Sequence, residues 1–162
     1  MNPSQYRFAR NLLFRLDAET AHHVSMGALR KLETIQLLRL LNGNIPKAEP
    51  VQCMGLAFPN KVGLAAGLDK EGNTIDALGR LGFGHVEIGT ITPRPQEGNP
   101  LPRLFRIINR EAIINRMGFN NPGIDAGAQN VAASTTFRKR GGIVGFNIGK
   151  NKSTPNENAT DD

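Results

Sequence analysis

The stretch Val62-Gly63-Leu64-Ala65-Ala66-Gly67-Leu68-Asp69-Lys70 passes from an apolar run to a glycine and then to charge. A short apolar run without alternation is the pattern of a strand buried on both faces of a parallel sheet. The glycine and the charges mark its carboxyl end. The pattern returns in His85-Val86-Glu87-Ile88-Gly89, followed by Thr90, and in Ile143-Val144-Gly145-Phe146-Asn147-Ile148, followed by Gly149-Lys150. Residues 74–81 suit a short helix, and residues 122–138 a longer one in which Pro122 fits the first turn. Strands alternating with helices predict an α/β fold with a parallel sheet and right-handed crossovers. Both an open doubly wound sheet and the opening of an eight-stranded barrel satisfy that order.

Working outward, residues 51–58 read as a hairpin turning around Gly55. Residues 90–110 form a long excursion in which Pro93, Pro95, Pro100 and Pro102 forbid regular helix, with a further strand at 104–108. Toward the amino terminus, residues 5–41 read as two helices. Tyr6, Ala9, Leu13 and Leu16 follow helical spacing, and Ala21, Val24, Ala28, Leu32 and Ile35 resume it after Asp17, the expected N-cap. Phe8, Leu12, Phe14, Leu29, Leu37 and Leu40 lie off these stripes, more apolar surface than one buried face needs. Arg7, Arg10, Arg15, Arg30, Lys31 and Arg39 flank them. Such a pair either packs on the main domain behind a solvated basic rim or rests in a membrane interface. Asn42-Gly43-Asn44-Ile45-Pro46 breaks the helix. The expected division is therefore a helical segment at 1–45 and an α/β unit at 46–162, its own elements starting near Val51.

The 162 residues carry a net charge of +6, which attracts nucleic acid, anionic lipid and anionic substrates alike. A nucleic-acid surface would interleave clustered cations with aromatics, and only Phe137-Arg138-Lys139-Arg140 approaches that, so no nucleic-acid partner is expected. No apolar run reaches the roughly 20 residues of a membrane span. The single cysteine, Cys53, excludes an intramolecular disulfide and a cysteine-cluster metal site, and reads as a small buried hydrophobe. His22-His23 has no companion ligand, so no metal is expected. Residues 150–162 hold no aliphatic side chain but Ala159, directly after a strand that needs covering. The expectation is a sheet that continues beyond Asp162.

In α/β folds of either kind, ligands sit at the carboxyl ends of the strands. Those ends carry Ala66-Gly67-Leu68-Asp69-Lys70, Gly89-Thr90 and Asn147-Ile148-Gly149-Lys150. With Asn115-Arg116-Met117-Gly118-Phe119-Asn120 they make a rim poor in acids and bases. Such a rim suits holding a cofactor that brings its own chemistry. Taken one at a time, Gly67 can simply end a strand, the lysines can be solvated, and the asparagines can cap turns.

Taken together, residues 63–70, Glu87-Ile88-Gly89-Thr90-Ile91-Thr92-Pro93-Arg94-Pro95-Gln96, residues 115–121 and Asn147-Ile148-Gly149-Lys150-Asn151 resemble the dihydroorotate dehydrogenases in order and spacing. The resemblance runs from residue 6 to 162. Lys61 departs from it, since members often carry proline there. The resemblance implies the N-terminal part of an FMN-containing (β/α)8 TIM barrel that oxidises dihydroorotate to orotate in pyrimidine synthesis. It implies that Ala66 and Gly67 lie against the flavin, with Leu68, Asp69 and Lys70 in the same cofactor-binding turn, and that Thr90 and Asn147 hydrogen-bond it. Lys70 then holds the orotate carboxylate, and Asn115, Arg116, Met117, Gly118 and Phe119 line the pyrimidine pocket. The proton-abstracting serine is expected beyond Asp162, leaving no catalytic base here.

Members that reduce fumarate or NAD are soluble and lack the two leading helices. Their presence, with Leu16-Asp17-Ala18-Glu19-Thr20-Ala21-His22, resembles the quinone-linked class. The implied partner is a membrane quinone met by His22 and Arg106. The implied location is peripheral, on the cytoplasmic face of a bacterial inner membrane. The competing readings are a fumarate- or NAD-linked relative and a noncatalytic basic binding module.

Overall fold

The computed structural model describes residues 3–41 and 48–162. The helical segment comprises Pro3–Leu13 (α1), Ala18–Thr34 (α2) and Leu37–Leu41 (α3). Asp17 caps α2 as expected: its carboxylate accepts from the backbone N–H of Glu19 at 3.1 Å and of Thr20 at 3.0 Å. The second leading helix does not run unbroken to 41. Gln36 takes φ 57°, and this left-handed residue separates α2 from α3. The helix break at 42–46 and the division at 45/46 lie outside the described residues.

Val51–Cys53 (β1) and Leu56–Phe58 (β2) form the expected antiparallel hairpin, with Gly55 at φ 74° in its turn. Cys53 is exposed there, against the expectation of burial. A two-residue turn leaves the short hairpin open on both faces around it. The central sheet has three parallel strands in the order Gly63–Leu64 (β3), His85–Ile91 (β4) and Ile143–Ile148 (β7). β3 is shorter than residues 62–66 suggested. Its contact with β4 continues all the same, because Gly67 donates to the Gly89 carbonyl at 2.8 Å and Gly89 to the Asp69 carbonyl at 3.1 Å.

Between β4 and β7, Leu104–Ile107 (β5) pairs with Ala112–Asn115 (β6), an antiparallel hairpin whose second strand was not foreseen. Its turn combines a 3-10 segment at Ile108–Arg110 with left-handed Glu111 at φ 48°. All four residues of β6 are exposed, so the apolar pattern that betrays a strand is weak. The long helix expected over 122–138 is two, Ile124–Ala133 (α5) and Thr136–Lys139 (α6). α5 starts after Gly123, whose φ of 85° and contact with Pro95 leave no room for a Cβ. α6 starts afresh because Asp76 of the helix Ile75–Arg80 (α4) reaches across. Its carboxylate accepts from Ser134 Oγ at 2.8 Å, Thr136 N at 3.2 Å and Phe137 N at 2.8 Å. The cap of α6 is thus lent by another helix.

The core lies where α4 and α6 cover β4: Ile75, Leu78, Val86, Ile88, Ile91, Phe137 and Met26 form one cluster, joined by Leu29, Leu64 and Val144. β4 is central because Val86, Ile88 and Ile91 are fully buried and both of its edges are paired. The far side of the sheet is thinly covered, and Ile148 of β7 is 77% exposed. The excursion after β4 is held by two asparagines. Asn121 accepts from Thr92 N at 3.1 Å and Gly123 N at 2.9 Å, while Asn151 accepts from Arg94 N at 2.9 Å and donates to Arg94 O at 2.8 Å. Residues after Asn151, expected as a bare polar tail, end in a 3-10 turn at Asn156–Asp161. Asp162 accepts there from Asn151 N at 2.7 Å and pairs with Arg94 at 3.1 Å.

α2 packs against α4 and β5. Two ion pairs fasten it: Glu33 to Arg80 of α4 at 2.9 Å, and Glu19 to Arg103, just before β5, at 2.7 Å.

The Asp76 cap is open to test. Asp76→Ala removes the acceptor shared by Ser134 and the first N–H groups of α6, and a lost cap costs about 1–2 kcal/mol. The expected result is a lower urea midpoint at unchanged denaturant slope. An unaltered midpoint contradicts the cap.

Candidate functional site

The carboxyl ends of β3, β4 and β7 open into a cavity of about 700 Å³ whose opposite wall is α1, α2 and the β5–β6 hairpin. From the strand ends come Ala66, Gly67, Leu68 and Lys70 after β3, Thr90 of β4 and Asn147 of β7. The Thr90 hydroxyl donates to Asn147 Oδ1 at 2.6 Å, and Asn147 Nδ2 donates to Glu87 Oε1 at 3.2 Å, so the amide is oriented from both sides. Gly89 makes this approach possible: with φ 108°, a Cβ there would stand 2.5 Å from the Asn147 carbonyl oxygen. At Gly67 nothing lies within 4 Å of the position a Cβ would take, so the backbone of the turn faces open space.

Lys70 bonds to the Gly67 carbonyl at 2.7 Å. Burial pulls its pKa below that of a free lysine, with Glu19 opposing the shift. Asp69, next in the turn, does not line the cavity. Its carboxylate accepts from the N–H groups of Gly72 at 2.9 Å, Asn73 at 3.3 Å and Thr74 at 2.9 Å. Burial nevertheless leaves its pKa raised, the backbone donors pulling the other way.

The hairpin side brings Asn115, Met117, Gly118 and Phe119 to the cavity. The Arg116 side chain turns away and donates to the Pro102 carbonyl through Nη2 at 2.9 Å, while its own carbonyl accepts from Asn99 Nδ2 at 2.7 Å. Arg106 lines the cavity near α1. Its guanidinium donates to Leu16 O at 2.8 Å and sits 4.5 Å from the centre of the Phe14 ring. His22 faces the same space from α2, and burial lowers its pKa, with Lys70 adding to the effect.

The expected residues thus converge on one chamber, Asp69 and Arg116 being the two whose side chains do not line it. Of the rest of the wall, residues 16–22 were set beside the quinone only as a stretch, by resemblance, and no other part was named residue by residue. Ala18, Ala21, Ser25 and Met26 come from α2, Leu13 and Phe14 from the end of α1, and Leu104 and Ile113 from the hairpin. The spacing of Ala18, Ala21 and Ser25, small residues on one helical face, was the available signal. Ile113 stood on the unforeseen strand.

The chamber is two-sided in chemistry. Near β3, β4 and β7 it is lined by amide, hydroxyl and ammonium groups, and near α1 and α2 mostly by aliphatic carbon with one imidazole and one guanidinium. Its titratable lining groups are His22, Lys70 and Arg106, and Ser25 donates its hydroxyl to the Ala21 carbonyl at 2.7 Å. Among the described residues no cluster of His, Cys, Asp and Glu could hold a metal ion.

Comparison with known proteins agrees with this architecture. Dihydroorotate dehydrogenase (quinone) of Akkermansia muciniphila is 54% identical over 162 residues, which are all of this chain and 45% of that protein. The protein of the same name from Cellvibrio japonicus is 57% identical over 157 residues, covering 97% of this chain and 44% of its own length. This chain therefore spans about 45% of the length of such relatives. Among solved structures, the ligand-free DHODH of Eimeria tenella superposes with a TM-score of 0.75 at 40% identity over 90% of this chain and 40% of that one. The DHODH of the same organism in complex with ferulenol gives 0.71 at 39% identity, over 89% and 39% of the two chains. The three-stranded sheet does not close a barrel, and it superposes on part of those larger proteins. Residues 49–161 match the family described as dihydroorotate dehydrogenase, and the chain belongs to that family.

Proposed function

We propose that this chain forms the cofactor- and quinone-facing portion of a dihydroorotate dehydrogenase that uses FMN and passes electrons to a membrane quinone. The observation that carries the reading is the two-sided chamber, with polar strand ends opposite an apolar wall that holds His22 and Arg106. The residues suit a flavin. Gly67 leaves its turn open, and the Thr90–Asn147 pair offers an oriented hydroxyl and amide at the ends of adjacent strands. When bound, FMN supplies reversible two-electron redox chemistry. Ala66, Gly67, Leu68, Thr90 and Asn147 hold it in this reading, with Asp69 shaping the turn from behind.

The remaining residues bind and orient. Lys70 places an ammonium against the carboxylate of dihydroorotate, a charge-assisted hydrogen bond of the stronger kind. Asn115 and the backbone of residues 116–119 fix the pyrimidine ring. The proton leaves to a serine outside these 162 residues. Ser25 is bonded to the helix backbone. On the other side His22 and Arg106 offer donors to quinone carbonyls, and the aliphatic wall excludes water.

The helical segment serves the second substrate. α1 has no buried residue, and its Tyr6, Phe8 and Leu12 are exposed among Arg7, Arg10 and Arg15. That pattern suits a helix lying in a lipid interface. No described helix is long and apolar enough to cross a membrane. With α1 resting in the lipid interface, the proposed location is peripheral, at the cytoplasmic face of a bacterial inner membrane, where the chamber mouth meets dissolved quinone.

Lys70 tests the substrate side. In the full-length enzyme Lys70→Ala is expected to weaken orotate binding about 10- to 100-fold, the range for losing a hydrogen bond to a charged group, with flavin content unchanged. In the unaltered enzyme affinity falls as rising pH removes the ammonium proton. Because burial lowers the Lys70 pKa, that fall comes below the pH at which a free lysine titrates. Orotate titration of flavin absorbance against pH reads both effects, and unaltered affinity in Lys70→Ala removes Lys70 from the site.

Deleting residues 1–41 from the full-length enzyme separates the half-reactions. At saturating dihydroorotate bound flavin is still expected to be reduced, while reduction of a long-tailed quinone and sedimentation with anionic vesicles are lost. Quinone reduction that survives the deletion makes the helices structural only. A third expectation concerns the 162 residues expressed alone. With β3 and β7 as open edges and Ile148 exposed, they should associate and fail to retain FMN. Flavin fluorescence of the washed protein checks this, and a soluble yellow protein active on dihydroorotate contradicts it.

A further inference from the structure

Arg103 stands just outside the cavity wall, yet its bonds reach two sides of the chamber. Its Nε and Nη2 donate to the Glu19 carboxylate at 3.0 and 2.7 Å, a two-nitrogen fork onto α2. Its Nη1 donates to the carbonyls of Glu97 at 2.5 Å and Asn99 at 3.0 Å. Asn99 in turn fixes the chain that lines the cavity, donating through Nδ2 to Arg116 O at 2.7 Å and through its backbone N–H to Met117 O at 2.9 Å. The Arg103 carbonyl accepts from Arg116 N at 2.8 Å. Gly98 is packed so closely between Met117 O and Asn120 that no other residue fits there, so the loop has little freedom to shift by itself. At the other end Glu19 lies one helical turn before His22, and its Oε1 is 3.8 Å from His23 Nε2.

We infer that the Glu19–Arg103 pair is a positioning device that holds the 116–118 backbone on one side and His22 on the other in their working geometry. The inference rests on the functional reading above, in which those two places meet dihydroorotate and quinone. Both side chains are nearly buried, Glu19 11% and Arg103 12% exposed. A buried ion pair contributes little net stability over apolar packing, because desolvation offsets the attraction. What the pair determines is placement. Arg103 draws the Glu19 pKa below the usual carboxylate range, against burial, so the carboxylate stays charged near neutral pH. Glu19 in turn opposes the burial that lowers the Lys70 pKa, so it acts electrostatically on the substrate side as well.

Another ion pair on the same helix provides the control. Glu33–Arg80 is similarly buried, at 12% and 18% exposed, and also fastens α2, but neither residue lines the chamber. In the full-length flavoprotein, Glu19→Gln is expected to raise KM for dihydroorotate and KM for a short-chain quinone together, each about 10-fold, as loss of a charged hydrogen bond at one remove allows. Glu33→Gln should lower Tm comparably and leave both KM values within about twofold of wild type. Asn99→Ala, which spares the ion pair, should raise KM for dihydroorotate alone. The inference is overturned if Glu19→Gln leaves either KM unchanged, if Glu33→Gln moves both as far, or if Asn99→Ala moves the quinone KM. Should Glu19→Gln fail to fold, Arg103→Lys keeps the charge but loses the fork and is read by the same criteria. An inactive wild-type enzyme overturns the functional reading and this inference with it, whereas an active wild type with unmoved variants overturns this inference alone.

Discussion

The parallel pairing of β4 along both of its edges is the constraint from which the rest follows. Val86, Ile88 and Ile91 are fully buried, so the strand must be covered, and α4, α6 and part of α2 supply the cover. Because β3 and β7 run in the same direction as β4, their carboxyl ends open on one side together. Three short loops with no sequence proximity are thereby brought to one chamber. Gly89 is where this arrangement is tightest: the peptide of β4 comes so close to Asn147 of β7 that only a residue without a Cβ fits. The hydroxyl of Thr90 and the amide of Asn147 meet as a result of strand pairing, before any ligand is considered.

The legible parts of the fold were those whose signal is local and apolar. The three parallel strands, the hairpin around Gly55 and the Asp17 cap all announce themselves by periodicity or by turn chemistry. What stayed hidden was written in tertiary contacts. The break between α5 and α6 depends on Asp76, 58 residues before Ser134 in the chain, and nothing near Ser134 marks it. β6 is exposed along its whole length, so it lacks a buried face to betray it. The interruption at Gln36 has no such explanation. The pattern of leucines runs through it unbroken, and the structure gives no contact that demands the left-handed residue.

The site divides in the same way. Lys70, Thr90 and Asn147 were legible because strand ends are where an α/β fold puts its chemistry, whereas Asn115 was legible through the resemblance alone. Asp69 and Arg116 belong to the same motifs, yet their side chains serve the backbone around the chamber: one ties a turn, the other braces Pro102. A motif fixes which residues recur together without saying which of them face the ligand. The helical wall was readable as surplus apolar surface and, through residues 16–22, by resemblance. Its small residues, Ala18, Ala21 and Ser25, leave room, and their helical spacing was the one trace of that room in the sequence.

Helix α2 is fastened at two places, Glu19 and Glu33, which stand fourteen residues and therefore about 21 Å apart along its axis. A rod pinned once can still roll about its length; a rod pinned twice on anchors belonging to different parts of the molecule cannot. Rolling matters in a helix because each residue points about 100° from the last, so a modest rotation would swing His22 away from the chamber and carry an exposed neighbour toward it. The two carboxylates thus act as a key and keyway, setting the angular register in which α2 presents its face to the strands.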